Sequence, residues 1–85
     1  MMNFGEALEA IHNGERVQRD GWNGKNMFVY LLVFPSTEYN PCICLFNAQG
    51  KHQPGWVPSQ GDMAANDWSI VNSNIPEFEQ IVLPL

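Results

Sequence analysis

Trp22 lies in the run Asp20-Gly21-Trp22-Asn23-Gly24-Lys25, where two glycines and an asparagine leave an indole plane beside amide groups. Such a ring suits stacking of a nucleobase, worth about 1–3 kcal/mol per base, while Asn23 can read the edge of a base or sugar. Further along, Ser59-Gln60-Gly61-Asp62 has the form of a capping box. The first N–H groups of the helix it opens, near Ser59, Gln60 and Gly61, suit an anionic oxygen or a phosphate. Three of the chain's four cations, Arg16, Arg19 and Lys25, stand close together in sequence. They form a local positive patch, able to receive one small anion, in a chain of net charge −5.

Catalysis would require a nucleophile with its base, an acid and base pair, or a metal. Asp20, Asp62 and Asp67 are the candidate general bases, but Asp62 is explained by its cap and Asp67 by solvent exposure at a helix end. Ser59 has no nucleophile elbow around it, and His52 beside Lys51 reads as a solvated turn residue. Cys42 and Cys44, two apart on a strand, share a face with geometry poorly suited to a disulfide, and they read as reduced core thiols. With no second cysteine pair, and with His12 and His52 at no ligand spacing, no metal is expected, nor any cofactor. The residues favour a non-enzymatic binding site.

The elements that would position these groups read as an α+β fold. Asn3 and Glu6 form a capping box, and Phe4, Ala7, Leu8 and Ile11 recur at helical spacing up to a stop at Asn13-Gly14. Residues 15–19 read as a short edge strand. Met27 to Phe34 is apolar at every position, so this strand needs both faces covered: Met27, Val29, Leu31 and Val33 on one, Phe28, Tyr30, Leu32 and Phe34 on the other. One small helix covers only the first, which leaves the aromatic face for another subunit, a ligand, or both. Residues 42–46 form a second buried strand and 47–50 a hairpin turn, giving an antiparallel meander. Residues 51–58 read as a strand interrupted by loop, followed by a second short helix through Asn66 and a last core strand over 67–71. Trp56 and Trp68 are assigned to the core and Trp22 to a site. Residues 1–71 thus form one domain, and residues 72–85, with two prolines and scattered apolar side chains, read as an arm lying on the body or on a neighbour.

With 85 residues, 45% hydrophobic and 15% charged, there is room for one domain and not for a two-domain enzyme. A domain of this size buries about 60% of its unfolded surface and is marginal alone. Three Trp, five Phe and two Tyr exceed what one thin core needs, so a homo-oligomer is expected. No apolar run approaches the roughly 20 residues that span a bilayer, and the first residues lack a secretory signal pattern, so a cytoplasmic protein without a membrane partner is expected. Four cations are too few to coat polymeric nucleic acid.

Two stretches taken together carry a resemblance: Met2-Asn3-Phe4-Gly5-Glu6-Ala7-Leu8 leading to Arg19-Asp20-Gly21-Trp22-Asn23-Gly24-Lys25, and Pro58-Ser59-Gln60-Gly61-Asp62-Met63-Ala64-Ala65-Asn66-Asp67-Trp68. Their order and spacing over residues 2–71 resemble the Thoeris anti-defence sponge domain of phages and prophages. The resemblance implies a non-enzymatic phage protein acting in the infected bacterial cell. It would sequester a cyclic ADP-ribose isomer made by a bacterial TIR-domain protein, keeping the Thoeris effector inactive. It also implies a homotetramer with ligand pockets between subunits; some members bind cyclic dinucleotides instead. Carried onto this chain, the ligand-binding residues are Trp22, Asn23 and Asn26 of the first loop, Ser59, Gln60, Asp62 and Met63 of the second turn, and Phe28 of the aromatic strand face. Two readings from other classes remain: a hydrolase of the same nucleotide with Asp62 as base, and an assembly or protein-interaction module whose Trp22 loop meets a protein.

Overall fold

A computed structural model describes residues 1–22 and 26–71. Helix α1 spans Phe4–His12. The Asn3 side chain accepts from the Glu6 N–H at 2.9 Å and the Glu6 carboxylate accepts from the Asn3 N–H at 2.9 Å, so the predicted box sets the start of the helix. The helix closes at Asn13, and Gly14 follows with φ +89°, a left-handed conformation that glycine adopts without strain. Its buried face is Ala7, Ala10 and Ile11.

Five strands follow: β1 Val17–Arg19, β2 Phe28–Leu32, β3 Cys42–Phe46, β4 His52–Pro54 and, after helix α2 at Gln60–Ala64, β5 Trp68–Ile70. They form one antiparallel sheet in the order β4-β3-β2-β1-β5. The α+β class, the antiparallel sheet and the two helices are as the sequence predicts. The first four strands form a meander, but β1 is not an edge. After α2 the chain returns to pair Val17 with Ile70, Gln18 with Ser69 and Arg19 with Trp68, which places β1 inside the sheet. The isolated bridge between Met2 and Trp68 then covers part of the new edge. The second helix ends earlier than predicted, at Ala64. Ala65 turns to extended backbone with ψ 150°, which sends Asp67 and Trp68 alongside Arg19.

The two faces of β2 are divided as its alternation requires. On the first face Val29 packs with Ala7, Ala10, Ile11, Val17 and Trp68, flanked by Leu31, Trp22 and Trp56. Burying each of the larger side chains contributes about 1.5–3 kcal/mol, more than the roughly 1 kcal/mol of a cap. The core therefore holds α1 in place and the cap sets where it begins. On the second face Phe28, Tyr30, Leu32 and Cys44 form another buried cluster, joined by Phe34, Cys42, Phe46 and Val71. Cys42 and Cys44 are free thiols on that face. Regular β2 stops at Leu32, and Val33, expected to be covered, is 63% exposed because it lies beyond the pairing with β3.

Candidate functional site

The two segments singled out in the sequence meet at one carboxylate. Asp62 closes the box that opens α2: its N–H donates to the Ser59 hydroxyl at 3.0 Å, and its Oδ2 accepts from the Ser59 N–H at 2.9 Å. Its other oxygen, Oδ1, accepts from Arg19 Nη1 at 2.8 Å and from the Trp22 indole Nε1 at 3.0 Å. Its main-chain carbonyl accepts from the Trp68 indole at 3.1 Å. Asp62 therefore anchors two of the three indoles and ties the first loop to the second turn. Only 7% of its surface is exposed, and a carboxylate so buried persists because every side of it is hydrogen-bonded.

Arg19 extends the clamp. Its Nε donates to Asp67 Oδ1 at 2.8 Å, and Asp67 Oδ2 accepts from the Gly21 N–H at 2.8 Å. Asp67, taken from the sequence as a solvated helix-end carboxylate, is thus a structural partner of the Trp22 loop. A Cβ on Gly21 would lie 3.0 Å from both Arg19 Nη2 and Asp67 Oδ2, so a side chain there fits only if this ion pair gives way by a few tenths of an ångström.

These contacts set the ionisation of the group. Burial alone would raise the Asp62 carboxyl, but hydrogen bonds from Ser59, Trp22 and Arg19 outweigh it and hold the carboxyl below the usual range. The Asp67 carboxyl is lowered chiefly by its hydrogen bond from Arg19, against a smaller effect of burial. The same two bonds hold the Arg19 guanidinium more firmly protonated. Asp62 has a lowered proton affinity and both oxygens engaged, which makes it a poor general base and a good positioning group.

The expected positive patch is changed accordingly. Arg19 faces two carboxylates, so this trio sums to −1, and the start of α2 already holds the chain's own carboxylate. Arg16 points elsewhere, its guanidinium carbon 5.6 Å from the centre of the Phe28 ring. Lys25 and Asn23 lie outside the described residues. Among the described residues no three of His, Cys, Asp and Glu converge as a metal site, and no helix is long and apolar enough to cross a membrane.

Trp22 is half-buried, with its ring edge-on to Trp68 at 5.3 Å and to Trp56 at 6.4 Å between centroids. Trp56 and Trp68 lie in or against the core as predicted, and Trp22 joins them while keeping part of its surface open. Ser59, Gln60 and Met63 are exposed beside the clamp, and Asn26 is exposed at the end of the first loop. Asn26 has φ +63°, a left-handed conformation that asparagine tolerates better than most residues. Phe28 is not brought to this group. It is 1% exposed on the second face, stacked on Phe46 at 4.9 Å and 18°.

Sequence reasoning missed the Arg19–Asp67 pair and the second role of Asp62. The available signal was the need of three indole N–H groups for acceptors in a chain with few charged residues. It also missed a polar pair on the second face, where Tyr30 Oη lies 2.9 Å from His52 Nδ1. Burial raises the Tyr30 hydroxyl and lowers the His52 imidazole, so both groups favour their neutral forms, and the His52 tautomer sets which of them donates.

The described domain coincides with a known family. The model of the Thoeris anti-defense 2-like domain matches residues 2–71. A curated protein of Bacillus phage SP01, named Thoeris anti-defense 2, is 42% identical over 86 residues, an alignment that takes in 84% of this chain and 96% of the phage protein.

Proposed function

The chain belongs to the Thoeris anti-defense 2-like family, whose members act against a bacterial anti-phage defence, and on that premise we propose that it works by capturing a cyclic nucleotide signal without degrading it. The ligand class is a cyclic ADP-ribose isomer. The supporting observation is the Asp62 clamp: it brings Trp22 beside the Ser59–Met63 turn and leaves one indole partly open next to exposed polar side chains. A base stacks on the open part of Trp22, and Ser59 and Gln60 meet the ribose or phosphate edge, while Asp62 holds the two segments in register. Asn23, Asn26 and Met63 complete the site in this reading, whereas Phe28, on the opposite face of its own sheet, is left out of it.

Sequestration fits these residues better than hydrolysis. The only buried carboxylate among the described residues is Asp62, already committed to Arg19, Trp22 and Ser59. A sponge acts stoichiometrically and must bind below the concentration of its signal. A nanomolar dissociation constant corresponds to about −12 kcal/mol, far beyond one stacked ring. Burial of the ligand between subunits of a homotetramer in the host cytoplasm supplies the difference.

The test uses filtrate from bacteria whose Thoeris TIR-domain protein has been triggered. Incubation with the purified chain should silence the filtrate towards the effector, and heating the mixture should restore its potency. A filtrate that stays silent after heating would indicate destruction of the signal. A filtrate never silenced would favour the protein-interaction module.

A further inference from the structure

Three consecutive residues that lead into Trp22 are tied to Asp67, which is not among the residues assigned to the ligand. Asp67 Oδ1 accepts from Arg19 Nε at 2.8 Å, its main-chain carbonyl accepts from the Asp20 N–H at 3.2 Å, and its Oδ2 accepts from the Gly21 N–H at 2.8 Å. Trp22 then donates its own N–H to the Arg19 carbonyl at 3.3 Å. At the other end of the side chain the indole Nε1 donates to Asp62, which also accepts from Arg19 Nη1. We propose that Asp67 is a positioning residue for ligand capture, holding the Trp22 ring in its binding orientation through Arg19 and the Gly21 N–H without touching the ligand. This deepens the capture reading and rests on it for the ligand itself.

Both carboxylate oxygens of Asp67 are engaged by donors of this chain, and its negative charge would repel a phosphate, so its contribution runs through Trp22. Arg19 links the two ends of the arrangement. Its Nε and Nη1 lie 2.8 Å from Asp67 and Asp62, so one planar guanidinium joins the residue before β5 to the first turn of α2. The root of Trp22 is thus fixed from Asp67 and its ring N–H from Asp62, while Trp68 and Trp56 stand edge-on at 5.3 and 6.4 Å. A ring ordered in advance removes an ordering cost from binding, which for one side chain amounts to about two- to tenfold in affinity. All of these groups belong to the described domain, whereas the arm over residues 72–85 lies outside the described residues.

The test labels the full chain with 5-fluorotryptophan, the Trp22 resonance being assigned by its loss in Trp22→Phe. Asp67→Ala should shift or broaden that resonance in the free protein and raise the amount of protein needed to silence the triggered-cell filtrate at least about threefold. Asp67→Asn, which keeps one acceptor oxygen and the shape of the side chain, should do both to a smaller extent. Asn3→Ala, which removes the α1 cap, is the stability control: it should lower the melting temperature and leave the resonance and the silencing dose unchanged. A Trp22 resonance unmoved in the Asp67 variants would overturn the proposal, as would a moved resonance with an unchanged dose, or the same changes in Asn3→Ala. A parent chain that never silences the filtrate would overturn the capture reading instead, and the fluorine spectra of the free protein would still decide whether Asp67 positions Trp22.

Discussion

Asp62 accepts from the two side chains and the one backbone amide that define the candidate site, and its removal separates a positioning role from a catalytic one. Asp62→Asn keeps one acceptor but sets an amide donor against a donor and leaves Arg19 under-neutralised. It should cost about 1–3 kcal/mol in urea unfolding and weaken ligand capture, with no change in the chemical form of the ligand recovered. Trp22→Phe removes the indole N–H bond and part of the ring surface and should retain part of the binding, whereas Trp22→Ala should abolish capture and leave the oligomer intact on size exclusion. A Trp22→Ala chain that binds as tightly as the parent would remove this residue from the site. Titration divides the groups by pH. The Asp62 and Asp67 carboxyls lie below their ordinary 3.8, so their contribution to stability is present above that value and is lost as pH falls through the depressed folded values. His52 is lowered from 6.5, so stability is undiminished above 6.5 and declines as pH drops from there, because the unfolded chain takes up the proton first. His52→Gln, which keeps a polar side chain able to donate to or accept from Tyr30, should erase the decline just below 6.5 in thermal melts while leaving the one near 4.

At the level of elements, the two glycines nearest the clamp make opposite demands. Gly21→Ala would press a methyl group against Arg19 and Asp67 and should destabilise by about 1–3 kcal/mol. Gly61→Ala meets only ordinary contacts, 3.6 Å from Ser59 Oγ and 3.9 Å from Arg19, and should be neutral or stabilising by up to about 1 kcal/mol in a helix. Comparing their unfolding midpoints tests whether the clamp or the helix governs this region. The elements themselves were legible because their signals are local. Asn3 and Glu6, or Ser59 and Asp62, lie three residues apart, and the alternation along β2 names its two faces. The place of β1 was not, because its pairing with β5 joins residues about fifty positions apart, and nothing local to Val17 or Ile70 specifies the partner. The same distance hid the Arg19–Asp67 pair. Trp22 and the Ser59 turn could be picked out as candidate site residues from residue type, but their meeting through Asp62 rests on long-range contacts that local spacing does not encode.

For the whole molecule, the described site holds no surplus positive charge, so the proposed nucleotide would have to be retained there by stacking, neutral hydrogen bonds and burial. Capture should therefore change by less than about threefold between low and near-molar salt, since screening acts on exposed charge pairs. A steep loss of binding with salt would transfer the main role to cations beyond the Arg19 clamp. Light scattering should give a mass of about four protomers if the site is completed between subunits, as a nanomolar affinity demands of so small a domain. The most direct test of the central claim mixes the purified protein with cyclic ADP-ribose isomers and cyclic dinucleotides, measures free ligand after ultrafiltration, and then measures what heat denaturation releases. Depletion of one cyclic ADP-ribose isomer, followed by its stoichiometric release unchanged, is the predicted result. Release of an altered product, or no depletion of any nucleotide, would contradict it.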